Sequence, residues 1–271
     1  MTVTWVLESN VFDEACFDRM VAHAEARGIP YHVVRVIPFA HEIDGPVPQI
    51  DGPCVVYGSI GIQKLAKTHG WRPGVFGGAD IHSEGMVCNS LKDLYLNSDA
   101  VFLKMSMVER FLAATVLAHP EGRQDIFIKP DSDTKEFAGA VISADGFDRW
   151  YKWMIDIGYL TDNDFEVAIS EPKDIGVEWR TVVVDGKISD CCIYKQYQKV
   201  MPQRHILPEV EALIYAAHER YAPAPVYVID IAQVGDEFKV IEYNTFNSAG
   251  LYALDVARIM DDVNAYVMKH A

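Results

Sequence analysis

Residues 227–252 read YVIDIAQVGDEFKVIEYNTFNSAGLY. Val226–Ala232 and Phe238–Tyr243 are rich in Val, Ile, Tyr and Phe, with Gly235-Asp236 between them, which predicts a β-hairpin followed by a small-residue loop and a last helix. Three side chains able to ligate a metal stand in it: Asp230, Glu242 and Asn244. Glu242 and Asn244 are two apart, so on a strand they share a face. Asp230 joins them only if it lies opposite Glu242. With a regular ladder this requires an odd-numbered loop, most simply Gly235-Asp236-Glu237 with Val234 and Phe238 as flanking pair. A two-residue loop would pair Asp230 with Ile241 and turn Glu242 to the other face. Three hard oxygen donors at one place suit Mg²⁺, which keeps waters and takes substrate phosphates as further ligands.

The plain alternative is a hairpin whose polar residues face solvent, as alternating strands commonly do. Against it stands Ile241-Glu-Tyr-Asn, an acid and an amide within an otherwise apolar strand, because a buried carboxylate without a partner is costly.

Composition narrows the classes. The chain has 271 residues, half of them hydrophobic, as in an ordinary globular protein. It carries 39 acidic and 24 basic residues, a net charge of −15, which argues against nonspecific nucleic-acid binding. The cysteines Cys16, Cys54, Cys88, Cys191 and Cys192 are odd in number and form no CxxC, so reduced thiols in a cytoplasmic protein are expected. No apolar run approaches the roughly 20 residues of a membrane span, and no signal-peptide pattern opens the chain.

In order, Val3–Leu7, Tyr31–Ile37 and Pro53–Tyr57 read as strands, with helices over Asp13–Arg27 and from Ser59 to about His69. This β-α-β-β-α series suggests an open, largely parallel sheet. Gly58-Ser-Ile-Gly61 is either an anion-receiving turn or a tight turn with a Ser cap. Residues 71–100 read as a connection with only short structure, and Lys104–Ala118 as a helix ended by His119-Pro-Glu-Gly. DIFIKP, Asp125–Pro130, is a strand, followed by the polar loop DSDTKEFAGA and a return strand near Ala140–Ile142. A helix over Asp145–Gly158 and a strand over Phe165–Ser170 come next. Val177–Val184 and Lys187–Tyr194 flank Asp185-Gly186, the strongest hairpin signal in the chain. The polar stretch Ile193–His205, IYKQYQKVMPQRH, reads as a lid or a solvated loop. Pro208–Tyr221 and 253–268 are the last helices.

FIKP, the strand into Glu171, then six intervening residues to Glu178, the Asp-Gly hairpin, Asp230 and Glu242-Tyr-Asn244 occur in one order that resembles the ATP-grasp superfamily, especially a divergent bacterial and phage clade ending in a motif like IEYNTFNSAGLY. The resemblance covers about 104–255. It implies an α/β, Rossmann-like domain over 1–100 and an α+β ATP-grasp fold of two subdomains over 101–271, with the nucleotide cleft between 104–175 and 176–271. It also implies ATP and Mg²⁺. Lys129 would contact the phosphates, an ammonium being a point charge for them, and Lys104 would be the second nucleotide lysine or a solvated one. Ala168–Asp174, with Ser170, Glu171, Pro172 and Asp174, would be the hinge at the adenine. Glu178 would accept hydrogen bonds from the ribose hydroxyls. Asp230, Glu242 and Asn244 would hold the metal.

Two departures accompany the resemblance. The loop after Lys129 is not glycine-rich, and Val228 stands where many members carry an Arg before the first metal acid. Arg180, on the face of Glu178, is the expected replacement as the cation that neutralises the transferring phosphoryl group. Arg180, Lys195, Arg204, Asn247 and Ser248 are candidate substrate contacts. The resemblance implies an ATP-dependent ligase joining a small-molecule or peptide carboxylate to an amine through an acyl phosphate, without nucleic-acid or membrane partners. The alternatives are a nucleotide-binding module without ligation, or a kinase that stops at phosphoryl transfer. No GxSxG and no zinc spacing among the nine histidines points elsewhere.

Overall fold

A computed structural model describes residues 2–11, 14–38, 40, 42–77, 82–118, 125–132, 136–158, 160, 164–197 and 199–271. The expected helix start at Asp13, Gly78, the helix stop at 119–122 and positions 133–135 of the polar loop lie outside the described residues. The first segment contains β1 (Thr4–Glu8), α1 (Glu14–Arg27), β2 (Tyr31–Val34), a short ribbon of β3 (Val36–Ile37) and β4 (Glu42–Ile43), β5 (Pro53–Tyr57), α2 (Ile60–Thr68) and β6 (Arg72–Gly74). The second holds α3 (Glu84–Leu91), β7 (Val101–Lys104), α4 (Val108–Ala118), β8 (Asp125–Pro130), β9 (Ala140–Ser143), α5 (Phe147–Asp156) and β10 (Glu166–Ser170). The third runs through β11 (Val177–Val184), β12 (Lys187–Gln196), β13 (Lys199–Arg204), α6 (Pro208–Arg220), β14 (Val226–Val234), β15 (Glu237–Thr245) and α7 (Val256–His270).

Packing divides the chain into two compact units, 1–81 together with 175–271, and 82–174. In the first unit, β2-β1-β5-β6 form a sheet whose named pairs are all parallel. Its central strands are buried on both faces, the reason they read as unbroken apolar runs. Trp5, Leu7, Val55 and Tyr57 pack with Cys16, Met20 and Ala24 of α1 and with Ile259 and Val263 of α7. Val6, Cys54 and Val56 point the other way, onto Ile62, Leu65 and Ala66 of α2. At the turn into α2, Ser59 caps the helix by accepting from the N–H groups of Gly61 and Ile62. The Ser59 N–H itself donates to Glu8 at 2.8 Å. A carboxylate already occupies that donor, so the capped turn is the reading the fold takes.

The same unit contains an antiparallel sheet of order β13-β12-β11-β14-β15. Asp185 and Gly186 both have positive φ, +49° and +75°, as the tight turn joining β11 to β12 requires. The stretch expected to be a lid or solvated loop is the end of β12 and the edge strand β13. All six residues of β13 are exposed, and Pro202 within it is tolerable because an edge strand leaves one row of N–H groups unpaired.

Unit 82–174 carries an antiparallel sheet of order β7-β10-β8-β9. Met105, Val108, Leu112, Ile128, Phe147, Met154, Val167 and Ile169 form its core. One sequence expectation changes here. Lys104 does not start a helix but ends β7, because Val101-Phe-Leu pairs with β10 and only a short 3₁₀ turn, Met105–Met107, intervenes before α4. The short structure expected over 71–100 includes β6 and α3.

Candidate functional site

The hairpin of β14 and β15 achieves the expected juxtaposition by an unexpected route. Val234 pairs with Glu237, so the loop is the two-residue Gly235-Asp236, with Gly235 at φ +60°. The odd loop expected from parity is therefore corrected. Ile231 pairs with Val240 while Asp230 pairs with Glu242, which leaves Ile241 as an extra residue in a β-bulge. A bulge places two residues of one strand against one of the other. It changes parity within the ladder instead of at the turn, and Asp230 faces Glu242 after all. Asn244 Nδ2 donates to Glu242 Oε1 at 3.1 Å and to Asp230 Oδ2 at 3.4 Å, so the three side chains share one face.

Arg180 completes this group. It lies on β11 directly opposite Asp230 and donates two parallel hydrogen bonds to it, Nε to Oδ1 at 2.9 Å and Nη2 to Oδ2 at 2.6 Å. Glu242 Oε1 is 4.0 Å from Nη2, and Nη1 donates to the Gly250 carbonyl at 3.1 Å. The guanidinium sits 4.8 Å from the ring centre of Tyr194 and 5.2 Å from that of Tyr252, distances of cation–π contact. Asp230 is fully buried. Burial alone would lower the pKa of Arg180, but the charge and hydrogen bonds of Asp230 outweigh it and hold it above its ordinary value. Glu178, two residues earlier on β11, accepts from the Tyr194 hydroxyl at 2.5 Å and lies 3.5 Å from Lys195 Nζ. Burial, then the negative charges of Asp230 and Glu178, push the Tyr194 phenol up, so it stays a donor.

The donor chemistry here suits a hard cation. Among the described residues no three His, Cys, Asp or Glu cluster as a metal site; the set is two carboxylates and an amide, with Arg180 between. Carboxylate and amide oxygens are the hard donors that Mg²⁺ takes, and Glu242 keeps 27% of its side chain exposed. The residues therefore fit Mg²⁺, with Arg180 sharing Asp230.

In unit 82–174 the phosphate-lysine candidate is held by a residue the sequence did not flag. Lys129 Nζ lies 2.7 Å from Glu84 Oε1, with side-chain exposures of 13% and 5%. Glu84 opens α3, also accepts from the Tyr95 hydroxyl and has His82 Nε2 at 3.6 Å. Burial would raise its carboxyl pKa, but Lys129 foremost, then His82 and Tyr95, bring it below the ordinary value. The signal was local, Ser83 as cap before Glu84, but its partners lie far along the chain and no apolar period announces α3. Lys104 is half-exposed, 4.0 Å from Glu166.

The expected hinge is tied to the loop before β7. Ser170 Oγ donates to Asn97 Oδ1 at 3.2 Å, the Glu171 N–H to Asp99 Oδ2 at 3.0 Å, and Lys173 Nζ lies 2.7 Å from the same oxygen. Asp99 thus takes the Glu171 N–H that a purine edge would need, and Pro172 has none. Asp174 is exposed.

The substrate candidates separate. Arg204 bridges Asp190 and Asp255 at 3.2 and 3.4 Å from a half-exposed position. Ser248 is partly buried in the turn Phe246–Ser248. Asn247 is a correction: it is fully buried, and its amide donates to the Val56 and Gly74 carbonyls and accepts from the Phe76 N–H. With all of these polar atoms engaged by backbone it ties the loop after β15 to the parallel sheet instead of meeting a ligand.

No curated protein sequence matches this chain. Among solved structures it is similar to D-cycloserine synthetase DcsG (TM-score 0.68, 12% identity, covering 98% of this chain and 99% of that one). It is also similar to D-alanine–D-alanine ligase from Bacillus anthracis (0.64, 12%, 100% and 98%) and to the ATP-grasp ligase PsnB complexed with minimal precursor (0.57, 14%, 98% and 100%). At such identities the likeness is one of fold. The model of an ATP-grasp domain family, the second family of its clade, matches residues 102–261, more than half of the chain. This protein belongs to that ATP-grasp family.

Proposed function

We propose that the protein is an ATP- and Mg²⁺-dependent ligase that joins a carboxylate to an amine. The convergence of Asp230, Glu242, Asn244 and Arg180 on one sheet face carries this reading. In the proposed reaction a carboxylate oxygen bonds to the γ-phosphorus as ADP leaves. The amine nitrogen then attacks the acyl carbon, loses a proton, and phosphate departs. A Mg²⁺ ion bound by Asp230, Glu242 and Asn244 would neutralise charge on phosphate oxygens. Arg180 is assigned the same electrostatic task on the transferring group, its guanidinium oriented by Asp230 and two aromatic rings. Lys129 is assigned to the ATP phosphates, and Glu178 to the ribose hydroxyls through the oxygen not engaged by Tyr194. Ser170, Glu171, Pro172 and Asp174 are assigned to the adenine side through backbone carbonyls, since Asp99 holds the Glu171 N–H, with Lys104 as a second nucleotide lysine. Lys195, Arg204 and Ser248 are assigned to substrate.

The parallel sheet over the first residues supports a Rossmann-like domain preceding the grasp. The division 1–100 and 101–271 is proposed as its chain-order boundary. Five free thiols support a reducing, cytoplasmic setting. No described helix is long and apolar enough to cross a membrane. Candidate substrates are small-molecule or peptide carboxylates and amines, the classes that the solved relatives' names suggest.

ADP release, measured against panels of amino acids and peptides with mass analysis of products, tests the reaction. An amide product supports ligation. A stable phosphorylated product means a kinase, and nucleotide binding without turnover means a module without ligation.

A further inference from the structure

We propose that Glu84 is the positioning residue of Lys129, fixing its ammonium at the end of β8 and keeping it charged for a nucleotide phosphate; this rests on the phosphate role assigned to Lys129 above. A lysine ends in a mobile point charge on a flexible four-carbon stem. With only 13% of its side chain exposed, Lys129 is largely desolvated, and desolvation favours the neutral amine, which binds no phosphate. The Glu84 carboxylate at 2.7 Å reverses that preference and narrows the positions open to the ammonium.

Glu84 is itself fixed from several directions. Its backbone N–H donates to the Asp131 carbonyl at 2.8 Å, and the Gly85 N–H donates to Asp131 Oδ1 at 2.8 Å. Ser83 and Ser132 form an isolated bridge beside them. The start of α3 is thereby fastened to the residues that follow Lys129 in the chain. Tyr95 donates to the second Glu84 oxygen, and His82 lies 3.6 Å from the first. Among the described residues, Asp131, whose carboxyl is raised by burial and by the negative charges of Glu84 and Glu166, is a further charged group beside Glu84. Lys129 itself is in direct contact with the Glu84 carboxylate.

A buried ion pair can also be merely structural, so the test must read the charge on Lys129. Competitive acetylation of the full chain, followed by mass spectrometry over a pH series, gives the Lys129 pKa. In the native protein it should lie above its value in Glu84→Gln, and Glu84→Asp should restore part of the difference. Affinity for a non-hydrolysable ATP analogue should begin to fall at a lower pH in Glu84→Gln than in the native protein. Unchanged Lys129 labelling in both variants, or an affinity loss by the same factor at every pH, overturns the proposal. Absence of analogue binding by the native protein refutes the phosphate role of Lys129 and with it this inference. The labelling still shows separately whether Glu84 sets that charge.

Discussion

Arg180 and Asp230 form the most consequential contact in the chain, a two-bond pair with a carboxylate that has no solvent access. Breaking a buried pair from one side typically costs about 3–5 kcal/mol, so Arg180→Met should lose stability of that order in chemical denaturation. Arg180→Lys should lose less, since it keeps the charge and drops the parallel geometry. Removing the guanidinium also takes a cation away from the Asp230 carboxylate, so folded Arg180→Met should bind Mn²⁺ without nucleotide more tightly than the native protein in a direct titration. Glu84 gives a pH prediction. Its folded pKa lies below the ordinary value, so its contribution is present above the unfolded pKa, about 4.3 for Glu, and is lost as pH falls through the folded one. Unfolding free energy followed downward from neutrality should decline more steeply in the native protein than in Glu84→Gln. Lys129→Met should weaken ATP binding by about 10- to 100-fold, the equivalent of one charged hydrogen bond. Asp230, Glu242, Asn244 and Arg180 were legible because two-residue spacing fixes the face of a strand. The pairing of Arg180 with Asp230, and Glu84 altogether, were not. Such partners are set by strand neighbours and helix docking 45 to 50 positions away, which local pattern does not encode.

The hairpin shows the same division for an element. The strands and their joint face followed from alternation, while the device that aligns them did not. Parity demanded one extra residue. A turn takes it as readily as a bulge on pattern alone, and here Ile241 supplies it within β15. The two hairpin glycines allow a matched test. Gly186 (φ +75°) and Gly235 (φ +60°) both favour glycine, so alanine at either should cost about 1 kcal/mol in strain. A Cβ at Gly186 would also meet His218 Nε2 at 2.9 Å, whereas nothing lies within 4 Å at Gly235. His218 is held by a 2.8 Å hydrogen bond to Tyr227, so it yields poorly. Denaturation should therefore show Gly186→Ala losing clearly more stability than Gly235→Ala. Equal losses would mean that His218 moves freely.

At the scale of the molecule, the family model that matches residues 102–261 carries the family assignment, and β1, β2, β5 and β6 build the parallel sheet that a β-α-β-β-α reading anticipates. Less legible was the packing of 1–81 with 175–271, which depends on contacts such as Trp5 with Asn264 and Asn247 with Val56. The thiols report on that core. Burial pushes Cys54 and Cys191 up to about 12 and Cys192 to about 11, and Cys16 is buried as well. Iodoacetamide should modify the partly exposed Cys88 first in the native protein and all five cysteines only after denaturation. The central proposal, that this protein binds ATP together with Mg²⁺, is tested most directly by calorimetric titration with a non-hydrolysable ATP analogue, with and without Mg²⁺. Binding that requires Mg²⁺ and falls at least about tenfold in both Glu242→Gln and Lys129→Met is predicted. Binding indifferent to Mg²⁺ and to both substitutions, or no binding at all, would contradict the account.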